Sequence, residues 1–230
     1  MVVSATMDHI FRNHWSERNT MHAPNFKKYV RSGFLVLLLL FPSQVVAETT
    51  EEIYQKGVTA YKQRNFQLAA THFKRAATQG HADAQFQLGY FHGVVSKSRN
   101  IDKALHWWRE AAEQRHLDAQ FMLGLAYYTG LKGAPVDLEK ALHWFSLATD
   151  EGSLKAQYQL ATMYEQGTGV AQNHAEALRL YRDAAEKGSA MSASRIAFKY
   201  RDGFGVPKDE AEYKRWAKKS RELAAKWGVQ

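Results

Sequence analysis

The chain has 230 residues, of which 45% are hydrophobic and 23% are charged, as is typical of one globular domain or one repeat array. It has no cysteine, which excludes disulfide bonds, thiol catalysis, thiolate metal sites and a lipid anchor on an N-terminal cysteine. The formal charge is +8. We take this modest excess to be spread along the chain, as a solvated basic surface or as a weak preference for acidic partners or a membrane surface.

Residues 1–47 have the three parts of a secretory signal peptide. A positive segment (27–31) precedes an eight-residue apolar run (34–41), and a small-residue cleavage site ends at Ala47. The apolar run is shorter than the roughly 20 residues of a transmembrane helix, although an uncleaved anchor is the alternative. We expect cleavage after Ala47 and a periplasmic or secreted mature chain. The polar, irregular stretch before Met21 predicts that translation starts at Met21.

After residue 47 the sequence repeats itself with a period of 35 to 37 residues, which indicates a repeat architecture. Ala, Leu, Gln, Lys and Glu fill the repeated segments and favour helix, and no run of alternating apolar and polar residues indicates a strand. Four columns carry the repeat: Leu88, Leu123, Leu160 and Ile196; Ala104, Ala141, Ala177 and Tyr213; Trp107, Trp144, Leu180 and Trp216; and Trp108, Phe145, Tyr181 and Ala217.

These columns predict five helical hairpins, here named units one to five, each with a helix A followed by a helix B. Unit one falls in the segment 48–80, and units two to five fill 81–230. The helices expected in units two to five are, in order, 82–93 and 102–114, 118–129 and 138–150, 154–166 and 174–187, and 190–202 and 209–226.

Glycines and capping residues set the expected helix ends. Glycine after a helix readily takes the left-handed conformation, and Asp or Asn before a helix accepts hydrogen bonds from its free N–H groups. The A helices should end at Gly130, Gly167 and Gly203, and the following B helices should be capped by Asp137, Asn173 and Asp209. The B helices of units one, three and four should end at Gly80, Gly152 and Gly188, whereas unit two has Arg115 there.

The pattern A-x-x-x-L-G-x-x-Y-x-x-G-x-G-V-x-x-D-x-x-x-A-x-x-W-x-x-x-A-A-x-x-G resembles the Sel1-like repeat, a relative of the tetratricopeptide repeat with a longer internal loop. It covers about 80–216 in four copies, and units three and four match best. Unit one, with its short link, resembles a tetratricopeptide repeat. Unit two lacks the Gly-x-Gly-Val turn and has His92 in place of Tyr. In unit five Tyr213 replaces a small residue, as expected of a terminal capping repeat.

The resemblance implies an all-α, right-handed α/α solenoid with a concave surface that binds a peptide or protein. It implies a non-catalytic scaffold or adaptor without a cofactor. In such solenoids helix A lines the concave side, and one column of small residues fixes the register: Gly57, Gly89, Gly124, Ala161 and Ala197. The residues three before, one after and four after each of these should face the groove.

The predicted partner-binding groove therefore contains Tyr54, Tyr61, Tyr90, Phe121, Leu125, Tyr128 and Phe198. Tyrosine suits such a surface because it offers apolar area and a hydrogen bond at low entropic cost. We expect the groove to centre on Tyr61, Tyr90, Phe121 and Tyr128. The alternative is that Phe86, Phe121 and Tyr158 pack between repeats, and the sequence assigns Tyr90 and Tyr128 equally to groove or core.

Several patterns that resemble chemistry are explained better by the repeat. Two histidine pairs, His81 with His116 and His106 with His143, recur at the repeat spacing, so duplication accounts for them without a metal. The Trp107, Trp144 and Trp216 column would suit a carbohydrate platform, but its spacing favours wedges between helix B and the next unit. There is no nucleophile elbow, phosphate-binding loop or isolated pair of carboxylates.

The last helix carries the densest basic cluster: Lys214, Arg215, Lys218 and Lys219. An extracytoplasmic address argues against nucleic acid as its ligand, which leaves a weak contact with an anionic membrane or cell wall, or a solvated cap. The sequence thus predicts a secreted or periplasmic protein-binding scaffold. The alternatives are a cell-wall-associated enzyme accessory or sugar-binding protein, and a host-directed virulence factor.

Overall fold

The computed structural model describes residues 47–95 and 100–226, so nearly all of the expected signal peptide lies outside the described residues. Within these ranges the chain forms ten α-helices and no strand, which confirms the all-α prediction. None of these helices is long and apolar enough to span a bilayer. The helices are α1 (Thr50–Lys62), α2 (Phe66–Thr78), α3 (Ala82–Tyr90), α4 (Ile101–Glu113), α5 (Leu117–Thr129), α6 (Leu138–Asp150), α7 (Leu154–Gln166), α8 (His174–Glu186), α9 (Ala190–Asp202) and α10 (Glu210–Lys226).

The helices pair into the five expected hairpins, with odd-numbered helices as helix A and even-numbered ones as helix B. Each helix packs against the helices before and after it in the chain, and α5 also contacts α7, the helix A of the next unit. One continuous apolar core runs from unit two to unit five, and two smaller clusters fill unit one and its junction with unit two. Each hairpin therefore buries its apolar face against its neighbours, as in a solenoid.

Histidine or serine caps the start of helix A in units two to five, which the sequence did not predict. The Nδ1 atom of His116 accepts a hydrogen bond from the Ala119 backbone N–H at 3.2 Å, and Ser153 Oγ accepts one from Ala156 N–H at 3.3 Å. The outer nitrogen of His116 lies 3.2 Å from Asp83 in the preceding unit. The imidazole thus caps its own helix and links two units, and His81 makes the same contacts with Ala84 and Glu51.

The predicted caps between helices A and B are confirmed. Gly130, Gly167 and Gly203 end the A helices with φ of 66°, 70° and 73°, in the left-handed region. Asp137 and Asn173 then accept hydrogen bonds from backbone N–H groups three residues ahead. Each cap also donates its backbone N–H to the preceding Tyr carbonyl, at 2.9 Å from Asp137 to Tyr127. These bonds tie the start of helix B to the end of helix A in the same hairpin.

Unit two closes its loop differently, as its departure from the repeat pattern predicts. Helix α3 ends at Tyr90, earlier than expected, and a π-helical turn follows at Phe91–Val95. The backbone N–H of Asn100 still donates to the carbonyl of His92 at 3.0 Å. His92 therefore keeps the backbone role of the tyrosine that it replaces, although the turn around it is lost.

A glycine on helix A meets an aromatic ring on helix B in each of the first three units. A Cβ added at Gly124 would lie 2.6 Å from the fully buried ring of Phe145, and one added at Gly89 would lie 2.5 Å from Trp108. The backbone of helix A thus rests on the ring, because contacts under about 3 Å cannot be made without displacing one of the groups. This close approach sets how far helix A and its groove-facing residues stand from helix B.

Candidate functional site

Two of the predicted groove residues lie exposed at opposite ends of the helix A series. Tyr61 on α1 is 42% exposed and meets Phe66 edge to face, with the ring centroids 5.4 Å apart. Phe198 on α9 is 44% exposed, and the guanidinium of Arg201 lies 4.6 Å from the centre of its ring. Both rings are exposed in the folded protein, so a partner can contact their apolar surface without any rearrangement of the core.

The groove residues of unit three are held more firmly. Phe121, Leu125 and Tyr128 are half-buried against the main core. The ring of Tyr128 lies 6.3 Å from that of Phe145, and its hydroxyl donates to Gln166 of the next unit at 3.2 Å. These side chains therefore serve the packing between repeats and present only their outer edges to solvent.

The remaining groove residues lie in units one and two. Tyr54 is half-buried, stacks on His81 with ring centroids 4.5 Å apart, and packs against both clusters of unit one. Tyr90 is half-buried at the end of α3. Phe86 and Tyr158, the residues for which packing between repeats was the alternative, are also half-buried against the main core. All of the predicted groove residues thus lie on A helices, but only Tyr61 and Phe198 are exposed.

The tryptophan column lies in or against the core. Trp216 is only 4% exposed, while Trp107 and Trp144 are half-buried. Trp107 packs against the cluster at the junction of units one and two, which places this wedge on the side of the preceding unit rather than the next one. Such burial leaves no row of free indole rings among the described residues for a carbohydrate platform.

A buried carboxylate on helix A of unit four is the strongest polar feature that the sequence did not reveal. Glu165 is fully buried, and its Oε1 accepts a hydrogen bond from Lys199 Nζ at 2.6 Å. Its Oε2 accepts one from Arg195 Nε at 2.8 Å. Lys199 is itself 1% exposed, whereas the Arg195 side chain is 36% exposed. The charges of α7 and α9 thus join units four and five from inside.

Burial raises the pKa of Glu165, but the hydrogen bonds from Lys199 and Arg195 outweigh it, so the net pKa lies below the usual value. Burial also raises the pKa of the neighbouring Tyr181 hydroxyl, which lies 2.9 Å from Thr162 Oγ1. Glu165 is therefore a charged carboxylate at neutral pH. Because its oxygens are occupied by cations and it has no access to solvent, the arrangement suits a structural ion pair and not a general base.

Unit five carries an open cleft between its two helices. We name it the terminal cleft; it has a volume of about 470 Å³ and is lined by Ser194, Ala197, Phe198, Tyr213, Lys214, Ala217, Ser220 and Arg221. The column that holds Trp108, Phe145 and Tyr181 in earlier units has Ala217 here. The terminal cleft thus lies where unit five lacks the aromatic ring that fills the earlier hairpins.

The positive charge is not spread along the chain as the composition first suggested. Residues 48–189 contain sixteen Lys and Arg against sixteen Asp and Glu, whereas residues 190–230 contain ten against five. The whole net charge of +5 that follows the expected signal peptide therefore belongs to unit five. The net charge of the entire chain does not reveal this concentration of positive charge in unit five, because units one to four together are neutral.

In the described part of the chain, no group of three or more His, Asp or Glu side chains is arranged to hold a metal ion. The paired histidines of the repeat are occupied as helix caps or lie on exposed helix surfaces, and His106 is 4.0 Å from Glu110 on the same helix. Several of the described polar groups link neighbouring units, as His116 does with Asp83 and Glu165 does with Lys199.

Five hairpins packed only against chain neighbours, with small residues on helix A set against rings on helix B, define an all-α repeat solenoid. The family model of the Sel1 repeat matches residues 47–81, 82–116, 117–153, 154–189 and 190–224. The chain therefore belongs to the Sel1 repeat family, which confirms the resemblance. Its first match covers unit one, so the chain has five matches to this repeat, where the sequence predicted four and likened unit one to a tetratricopeptide repeat.

Solved structures agree with this assignment. A Sel1 repeat protein from Oxalobacter formigenes matches with a TM-score of 0.72 and 27% identity, over 87% of this chain and 86% of that one. The protein c5321, described as a protective antigen of uropathogenic Escherichia coli strains with this fold, matches with a TM-score of 0.63 and 33% identity. That match covers 69% of this chain but only 34% of c5321. No curated protein sequence matches the chain.

Proteins of the Sel1 repeat family generally mediate protein–protein interaction, and the family's scaffolds are generally non-catalytic. Both statements hold for the family as a whole.

Proposed function

We propose that this protein is an extracytoplasmic scaffold that binds a peptide or protein segment along the exposed face of its A helices. The observation that carries the proposal is the exposure of Tyr61 and Phe198 on a series of helices whose other predicted groove residues are half-buried. Rigid aromatic side chains on a preorganised backbone give a partner contact area at low entropic cost. The half-buried edges of Leu125 and Tyr128 continue the surface between them.

The extracytoplasmic address rests on the sequence of residues 1–47. Cell fractionation, with N-terminal sequencing of the purified protein, tests it. A chain that begins at Glu48 in the periplasm or the medium supports the proposal, and a cytoplasmic chain that retains residues 21–47 contradicts it.

A host-directed role is the second candidate, and the likeness to c5321 favours it because that protein is described as a protective antigen. Since this chain covers about a third of c5321, the likeness reaches only that part. Recovery of the protein from culture medium supports this candidate, and retention in the periplasm argues against it. A role at the cell wall would instead show as binding to purified envelope fragments.

The groove is tested by crosslinking tagged protein in its own cells and identifying attached proteins by mass spectrometry. Tyr61→Ser with Phe198→Ser is the sharpest variant, because both side chains are exposed and their loss should cost little stability. Val136→Ser is the matched control, since Val136 is 62% exposed in the loop between α5 and α6. The proposal predicts a protein that is lost from the double variant and kept by the control.

The double variant Tyr90→Ala with Tyr128→Ala is a second test in the same crosslinking experiment, and its stability has to be measured as well. Both side chains are half-buried, so their truncation opens space in the packing as well as removing groove contacts. If the folded double variant and the exposed-site variant both retain every partner, or if only glycan fragments are recovered unchanged from each, the groove assignment is wrong.

A further inference from the structure

The terminal cleft lies where unit five has no aromatic side chain in the repeat column. In unit four the ring of Tyr181 is fully buried in the hairpin whose helix A has Ala161. Unit five has Ala197 in the same helix A position but Ala217 in place of the ring. A cleft of about 470 Å³, which is larger than one aromatic side chain, opens to solvent beside these two alanines.

The cleft has a mixed lining of apolar, hydroxyl-bearing and cationic side chains. Phe198 lies on one wall, while the cations Lys214 and Arg221 lie on the opposite helix. Lys214 pairs with Glu210 at 3.2 Å on an exposed surface, and Arg221 has no ion pair among the described residues. An exposed pair of this kind is worth little and is easily exchanged for another anion.

A second small cleft of about 270 Å³ adjoins the terminal cleft, and Phe198 lines both. Arg195 and Lys199 contribute to it, with Glu165 fixing their positions from the inside. Glu165 already pairs with both of these cations, and Asp202 also lines the second cleft, so the positive charge available to a ligand comes mainly from Lys214 and Arg221. Unit five holds all of the net charge of residues 48–230.

We propose that the terminal cleft binds an acidic peptide segment of a protein partner, inserting one aromatic side chain into the place of the missing ring while its carboxylates meet Lys214 and Arg221. The inference rests on the proposed function, since it names the chemistry of the segment that the scaffold would hold. Charge complementarity selects an acidic segment, and the apolar surface of Ala197, Phe198 and Ala217 selects an aromatic anchor. An anionic membrane would use the same charges but would not need the cleft.

The probe is a short fluorescein-labelled peptide of Asp, Glu and Gly with one central Phe, measured by fluorescence anisotropy. One control peptide has Ala in place of Phe, and another has Asn and Gln in place of the acids. The key variant is Ala217→Phe, which places in unit five the ring that Phe145 supplies in unit three. The folding of this variant is checked first by thermal unfolding, because Ala197 carries a Cβ where the Gly124 that faces Phe145 has none.

The inference predicts that the acidic Phe peptide binds, and that Ala217→Phe weakens binding by about tenfold or more because the anchor site is filled. Lys214→Glu with Arg221→Glu should weaken it similarly, whereas Lys74→Glu, at an exposed lysine of α2, should not. Both control peptides should bind more weakly than the probe, and added salt should reduce the affinity of the probe.

Absence of binding, or binding that is indifferent to Ala217→Phe, overturns the inference. Vesicles of phosphatidylcholine with and without phosphatidylglycerol form a second arm. Binding to the anionic vesicles that depends on Lys214 and Arg221 but not on Ala217, without peptide binding, assigns the charge to a membrane surface. If a partner still crosslinks through Tyr61 but the acidic Phe peptide does not bind, the terminal-cleft inference is wrong and the proposed function stands. If the peptide binds as expected but no partner uses the helix A face, the proposed groove falls instead.

Discussion

Replacing Glu165 by Gln should destabilise the protein far more than its single charge suggests. The amide keeps the volume of the side chain but leaves the ammonium of Lys199, which is 1% exposed, without its carboxylate. Breaking a buried ion pair by removing one partner costs about 3–5 kcal/mol. Arg195, whose side chain is 36% exposed, is able to turn to solvent, so we assign the cost mainly to Lys199.

In thermal unfolding followed by circular dichroism, about 3–5 kcal/mol corresponds to a fall in Tm of about 6–20 °C for a chain of this size. The matched control is Glu176→Gln, which removes an exposed pair with Arg179 and should cost less than about 1 kcal/mol. A second variant, Glu165→Leu with Lys199→Met, replaces the pair by apolar groups and should recover to within about 1 kcal/mol of the wild type.

The stabilisation that the Glu165 ion pair provides should depend on pH, and the pKa of Glu165 fixes the direction of that dependence. Because the pKa of Glu165 in the folded protein lies below its usual value of 4.5, its ion pair stabilises the fold above that pH. This stabilisation is lost as the pH falls through the depressed pKa. The difference in unfolding free energy between wild type and Glu165→Gln should therefore shrink in acid. A difference below about 1 kcal/mol at neutral pH, or one that widens in acid, would refute the reasoning.

Three further substitutions test the packing and the caps by urea unfolding. Gly124→Ala should cost about 1–3 kcal/mol despite its better helix propensity, since the added Cβ meets the buried ring of Phe145; an unchanged midpoint would contradict this contact. Arg115→Gly should raise the unfolding free energy by about 1 kcal/mol, because Arg115 holds a strained positive φ of 65° that glycine adopts freely. The exposed ion pair of Arg115 with Glu151 is worth less than this strain. A net loss of stability would show that the ion pair contributes more than the strain costs. His116→Ala should lower the unfolding free energy by about 1 kcal/mol because the N-cap of α5 is lost. His116→Ser should keep most of that stability, since serine also caps a helix. Equal losses in the two variants would exclude the capping role.

The hairpins were predictable from the sequence because their boundaries depend on local chemistry. Gly130 and Asp137 act within a few residues of their own positions, so the end of α5 and the start of α6 follow from the sequence alone. The starts of α4 and α5 lie one residue earlier than predicted. In α5 the reason is that His116 serves as the cap, a role usually filled by Ser, Thr, Asp or Asn.

The features of units four and five were harder to foresee because they depend on contacts between units. Glu165 occupies a groove-facing position in the repeat, and only the packing of α7 on α9 shows that two cations cover it. The spacing of Arg195 and Lys199, four residues apart on one helix, was the available signal. Likewise Ala217 stands out in its column, but a missing ring becomes a cleft only when no neighbouring side chain fills the space.

The central claim is that a protein partner lies along the helix A face, and site-specific photo-crosslinking tests it most directly. A photoreactive phenylalanine analogue placed at Tyr61 or Phe198 reports on that face, and the same analogue at His106 or His143 reports on exposed positions of helix B. We predict that both helix A positions crosslink to one protein and that the helix B positions do not. Crosslinks to a protein from His106 and His143 alone would contradict the account.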